Sequence, residues 1–227
     1  PPNCPTPTPV ATPTPCSVSY NVPATSNPWL AGNSEGTQIN YAPFTSEGVL
    51  VDSALAQSPV QVGGLSADCL RPNAVFTFTS VSGSVTNGGQ FGDPATSGDG
   101  TSNNNVSHDP GGVLGKSNVV APMNAMLGVF LNASNPSQTT PPATLTFDSS
   151  NKRNFLTLSP QLNQVFFIGN GKTSAAVEQQ FIVPSGATRF FVGTMDKGQW
   201  NNNQGFLQVQ MKSVPPPAPT PTPLPCP

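Results

Sequence analysis

The sequence predicts an all-β sandwich, and three observations carry that expectation. Short runs rich in Val, Phe, Thr and Ile recur along the chain, each closed by Gly, Pro, Asn or Ser, the spacing of strands and turns in a sandwich. Residues 206–214 alternate strictly. Phe206, Gln208, Gln210 and Lys212 fall on one side; Leu207, Val209, Met211 and Ser213 fall on the other, as in a half-buried strand. Finally, only "PMNAMLG", around Met123 to Leu127, offers a helical candidate, and it is too short to be assigned.

The elements follow in order. Residues 1–15, "PPNCPTPTPVATPTP", and residues 215–227, "PPPAPTPTPLPCP", share a Pro-Thr-Pro-Thr-Pro run. Proline without an N–H cannot sit inside a sheet or helix, so both tails are expected as extended polyproline II. Between them, residues 16–214 form the β domain. Strands are expected at 74–81, 144–149, 164–169, 179–183, 188–194 and 206–214. The stretch 86–112 is poor in apolar residues and rich in Gly, Asn, Asp and Ser. It is a long loop, expected either to bind something or to be a mobile surface connection.

Charge excludes some functions. Among 227 residues only 8% are charged and the net charge is −2, with no basic stripe to follow a nucleic-acid backbone. No apolar run approaches the roughly 18 residues of a membrane span. The chain starts at Pro1, so a removed leader or a longer parent protein is expected. Low charge with abundant Ser, Thr, Asn and Pro fits an extracellular or cell-surface protein. Sequons at Asn105 and Asn132, and Thr between prolines, are candidate glycan sites.

Cys4, Cys16, Cys69 and Cys226 allow three disulfide connectivities. No CxxC occurs and His108 is the only histidine, so no zinc template is met. Cys4 and Cys16 would stand roughly 37 Å apart along a polyproline II run, too far for a disulfide. Of the two connectivities left, the one that pairs Cys16 with Cys69 is expected, because Cys16 lies at the start of the domain and Cys69 within it. Cys4 and Cys226 are left to each other, in one chain or, the favoured reading, between successive subunits.

The chemistry concentrates in residues 191–206, "FVGTMDKGQWNNNQGF". One carboxylate (Asp196), three consecutive amides (Asn201, Asn202, Asn203) and Gly205 lie between two apolar runs. Ca²⁺ takes six to eight such oxygens, from carboxylates, amides and backbone carbonyls. With one carboxylate the ion would be under-coordinated and open to sugar hydroxyls. The same residues also make ordinary polar turns. Trp200 offers an aromatic face to a pyranose ring at the rim of such a site, or a core side chain.

The segment 181–211, "FIVPSGATRFFVGTMDKGQWNNNQGFLQVQM", resembles the last two strands of the PA-IL-like galactophilic lectin domain. So do "SNPWLAG" (26–32), "VFTFTSVSGSV" (75–85), "APMNAMLGVFL" (121–131) and "LSPQLNQVFFIGNG" (158–171). The resemblance covers about 16–214 and implies a jelly-roll sandwich that binds galactose-type glycans through Ca²⁺. Its metal ligands would be the Asp196, Asn202 and Asn203 side chains, the Gln199 carbonyl and a carbonyl near Val85 or Thr86. His108, in "SHDPGG", would face the sugar's primary hydroxyl, and the glutamine that accompanies it in the family falls on Gly111. His108 and Asp109 come with no nucleophile elbow or paired-carboxylate motif, so no enzyme is expected. Two roles remain: a calcium-dependent glycan-binding module, or a subunit of an extracellular filament that self-associates through its tails.

Overall fold

A computed structural model describes residues 14–41, 50–88 and 94–216. Cys4, Cys226 and most of both proline tails lie outside the described residues. The strands are β1 (Cys16–Pro23), β2 (Gln38–Tyr41), β3 (Leu50–Ser53), β4 (Val60–Gln61), β5 (Val75–Thr86), β6 (Asn105–Ser107) and β7 (Val119–Pro122). They continue with β8 (Met126–Leu131), β9 (Leu145–Thr146), β10 (Thr157–Leu158), β11 (Val165–Phe167), β12 (Gln180–Ile182), β13 (Arg189–Thr194) and β14 (Gln204–Val214). The fold is all-β. A five-stranded sheet, β1-β14-β5-β12-β10, and a four-stranded sheet, β11-β8-β13-β4, supply the core; β2-β3 and β6-β7-β9 form two small sheets. Among the described residues no helix is long and apolar enough to cross a membrane.

The two main sheets meet through aromatic rings. Phe76 on β5 lies 5.3 Å from Phe130 on β8 and 5.2 Å from Phe190 on β13, both edge-on, the favoured arrangement for ring quadrupoles. Leu207, Val209 and Met211 are buried, as the alternation in β14 predicts. A bulge at Gln210/Met211 inserts Thr79 into β5. It shifts the strand's inward phase from Phe76 and Phe78 to Val81 and Val85, so that both apolar sets face the core.

The segment around Met123 to Leu127 is no helix. Asn124 adopts φ +69° and turns the chain, after which all six residues of β8 are buried between neighbouring strands. Cys16 and Cys69 form the expected disulfide, with Cα atoms 6.1 Å apart.

β14 fixes the polarity of the molecule. It pairs antiparallel with β1, Cys16 opposite Ser213 and Pro23 opposite Phe206. Both tails therefore leave side by side from one end of the long sheet. The loop between β13 and β14, which holds Asp196 to Asn203, lies at the other end.

Lys116 is fully buried, and its Nζ donates to the carbonyls of Ala31 and Leu114, both at 3.0 Å. Burial, with the nearby Arg189 charge, lowers its pKa to about 7. A neutral amine has two N–H groups, one for each carbonyl. The unfolded lysine binds its proton up to its ordinary value while the folded one does not, so stability rises with pH between those values. Chemical denaturation of wild type and Lys116→Met between pH 7 and 10 should show a gain with rising pH that the variant lacks. Parallel pH profiles would show that Lys116 is charged when buried.

Candidate functional site

The loop from Met195 to Asn203 is built around a 3-10 turn, Trp200–Asn202. Its first residue outside the turn, Gln199, is left-handed (φ +72°, ψ +62°), a conformation costly for any side chain with a Cβ. The Trp200 amide donates to Asp52 Oδ2 at 3.1 Å, and the Trp200 indole donates to the Thr194 carbonyl at 3.0 Å. Trp200 is fully buried. Of the two places expected for it, rim or core, the ring takes the core: it plugs the end of the sandwich, and the Thr194 carbonyl of β13 takes the indole N–H.

The expected residues do gather here. Asp196 is 4% exposed and Oδ1 accepts from the Gly198 amide at 3.3 Å. Asn203 Nδ2 donates to the Ala24 carbonyl at 3.2 Å, which fixes the amide's orientation. Thr86 at the end of β5 stands opposite Gln204 at the start of β14. Just beyond, Gly88 (φ +71°) passes so close to the Asn202 carbonyl that a Cβ would lie 1.8 Å from it; only glycine allows that crossing. The Asp109 amide donates to the Lys197 carbonyl at 2.8 Å, which joins the His108 loop to the same cluster.

His108 differs from expectation. It is 2% exposed, and its ring stacks on Trp29 at 3.8 Å and 9°. Nδ1 lies 2.6 Å from the Gly111 carbonyl, which can only accept, so Nδ1 carries the proton. Nε2 then accepts from the Tyr41 hydroxyl at 3.4 Å. Burial lowers the His108 pKa to about 3, and the ring is neutral. The residues that cover it come from 24–41, a segment whose sequence gives no sign of where it folds. A direct contact from His108 to a sugar hydroxyl is therefore corrected to a structural role.

Sequence reading missed Asp52. It sits on β3, fully buried, and accepts from Asn27 Nδ2 as well as from Trp200. Asn27 Nδ2 also donates to the Tyr41 hydroxyl at 2.9 Å, and Asn27 Oδ1 accepts from the Trp29 amide. Neither the spacing nor the neighbours of Asp52 single it out; only the folding of 24–57 across this end brings it in. β13 permits that covering because Gly193 leaves room: a Cβ there would lie 2.4 Å from the Ser26 carbonyl.

At both carboxylates burial outweighs the hydrogen bonds that favour the charged form. Burial raises the Asp196 pKa to about 7, with a further upward push from Asp52. Burial also raises the Asp52 pKa. The side-chain oxygens of Asn202 and Asn203 in the loop are buried without a hydrogen-bond donor, as is Asp52 Oδ1 behind it; other buried side-chain atoms without partners, Ser26 Oγ and Asn124 Nδ2 among them, lie outside the loop. Buried oxygens left without donors are costly. A hard cation satisfies such oxygens, and the residues present fit one. Asp196, Asn202 and Asn203 can offer side-chain oxygens, Gln199 and Thr86 carbonyls. Among the described residues no three His, Cys, Asp or Glu side chains group as a metal site, so the donor set rests on amides and carbonyls.

Compared with known proteins, the chain matches no family model, no curated protein and no solved structure.

The left-handed Gln199 gives a direct test of loop geometry. Gln199→Gly removes the Cβ penalty and should stabilise the protein by about 1 kcal/mol, whereas Gln199→Val should destabilise it. Urea unfolding of both variants checks this, and equal effects would contradict the assigned backbone.

Proposed function

We propose that the protein is a non-enzymatic, extracellular β-sandwich module that binds Ca²⁺ in the Asp196–Asn203 loop and uses the ion to hold neutral glycans. The observation that carries this reading is the group of donor-less buried oxygens beside the buried Asp196. The resemblance to PA-IL-like lectin domains supports it and adds the expectation of jelly-roll connectivity. Five protein oxygens leave room in the six to eight of a calcium shell, and a pair of sugar hydroxyls can fill it. The residues placed to meet the rest of the sugar are those the loop exposes: Lys197 and Asn201, with Gln199 and Asn202 half-buried. None is the histidine–glutamine pair expected of a galactose site. The glycan is thus read as galactose-type only through its vicinal hydroxyls at the metal.

Calorimetric titration with Ca²⁺ tests the ion, and a glycan array with and without EDTA tests the sugar. Asp196→Ala should abolish calcium binding, because it removes the loop's own carboxylate. Unchanged affinity in that variant would refute the assignment; glycan signals indifferent to EDTA would refute the lectin role.

A second reading is favoured by the β1–β14 register. With Cys16 opposite Ser213, the two proline-rich tails start together, at the end away from the calcium loop. Cys4 lies twelve residues before Cys16, and Cys226 lies twelve after Val214. At ~3.1 Å per residue, polyproline arms of equal length would bring both cysteines roughly 37 Å from the domain. We infer that the tails tether the module or join it to further copies in a filament, with the binding loop facing outward. On non-reducing gels a ladder of multimers that collapses with reductant is expected for a link between subunits. A monomer band without reductant rules that link out.

A further inference from the structure

We propose that Asp52 is a positioning residue of the calcium site, which holds the Gln199–Trp200 peptide so that the Gln199 carbonyl faces the ion. This role rests on the calcium reading above.

Three features of the molecule lead to it. Asp52 is a carboxylate at zero exposure, without a salt bridge: the ion pairs among the described residues are Arg71–Asp68 and Lys152–Asp148. A buried carboxylate needs hydrogen bonds or a cation to persist. Its Oδ2 receives the Trp200 N–H at 3.1 Å and the Asn27 amide at 3.1 Å, while Oδ1 has no donor. The first bond crosses 148 residues of sequence and joins β3 to the loop between β13 and β14.

The second feature is peptide geometry. In a planar trans peptide the carbonyl and the following N–H point in opposite directions. Since the Trp200 N–H points at Asp52, the Gln199 carbonyl points away from it, along the 3-10 turn toward Asn202 and Asn203. That carbonyl has two lone pairs, one for the turn and one for a ligand. The side-chain oxygens of Asn202 and Asn203 are the donor-less ones. Asp52 thus stands behind the peptide, while the carbonyl is directed along the turn toward the two residues whose side-chain oxygens lack donors.

The third feature is the strain the bond opposes. Gln199 is a non-glycine residue at φ +72°. Such a residue persists when its surroundings over-determine it. Here Trp200, on the far side of that peptide, is held at three points: its amide on Asp52, its indole N–H on Thr194 and its ring on Trp29 and Tyr41. Asn27 Nδ2, which also donates to the Tyr41 hydroxyl, holds the carboxylate in turn. The oxygen acceptor behind the peptide also polarises it, which makes the Gln199 oxygen a better ligand. Outer partners that aim a ligand in this way are commonly worth 10- to 100-fold in metal affinity.

The experiment uses the full chain and Tb³⁺, a calcium-sized probe that the nearby tryptophans sensitise. Titration gives affinity, and luminescence lifetimes in H₂O and D₂O give the number of bound waters. Wild type should bind Tb³⁺ and release it to excess Ca²⁺. In Asp52→Ala the affinity should fall about 10- to 100-fold, and about one water should take the place left by the Gln199 carbonyl. Asp52→Asn keeps an oxygen acceptor for Trp200, so its water number should match wild type while its affinity falls about tenfold or less. If Asp52→Ala does not fold, Asp52→Asn decides, and wild-type affinity in it overturns the role. Loss of affinity in Asp52→Ala without an added water also overturns it, because Asp52 would then act through general stability. A wild-type protein that binds neither ion removes the calcium reading, and this role with it.

Discussion

The hydrogen bond from the Trp200 amide to Asp52 joins two parts of the chain that share no strand pairing. One is the segment that follows β1 and carries Asn27, Trp29, Tyr41 and Asp52; the other is the loop between the two main sheets. Around this bond the aromatic rings settle. Trp29 stacks on His108, and Trp200 lies 5.7 Å from both, at a tilt. The result is a closed end to the sandwich, in which aromatic rings and buried polar groups pack together. Where donors are provided they are many, as at Asn27, whose amide serves Asp52 and Tyr41 at once. Where they are not, the atoms left without partners include the side-chain oxygens of Asn202 and Asn203 in the loop and Asp52 Oδ1 behind it.

That imbalance has a physical meaning. Two carboxylates share a buried region, and burial pushes both pKa values upward. A protein that needed only to close this end of its core would place apolar side chains here, since exchanging buried ionisable groups for apolar ones is often neutral or stabilising. Retention of carboxylates and amides together makes sense if a cation compensates them. His108, by contrast, is fully accounted for by its stack and its two hydrogen bonds, and needs no ligand.

Much of the fold is legible in the sequence because it rests on period two. β14 shows its buried face directly, and Phe76 and Phe78 alternate likewise in β5, whereas β13 reads as a strand from a short apolar run that is buried at five consecutive positions. The density of oxygen-bearing residues between Asp196 and Asn203 is legible too, and it is what marks the loop as the candidate site. What sequence leaves out depends on contacts between distant segments. Asp52 looks like any strand residue until the chain brings it to Trp200. Trp200 reads equally as rim or core, because an aromatic ring in a polar loop suits both; Trp29 and Tyr41 decide it. The phase change in β5 is written in the shift from Phe76 and Phe78 to Val81 and Val85, but it becomes interpretable only with the bulge opposite Gln210. "PMNAMLG" misleads because Met, Ala and Leu favour helix locally, while β8 is set by burial on both faces.

The polarity of the molecule links its two proposed roles. A module anchored by two tails at one end, with its binding loop at the other, is arranged to present that loop outward. Anomalous diffraction from crystals grown with a calcium-sized lanthanide tests the central claim most directly. The expected result is one strong peak within about 2.3–2.6 Å of oxygens from Asp196, Asn202 and Asn203. No peak in that loop, with those oxygens hydrogen-bonded to water or to one another, would contradict it.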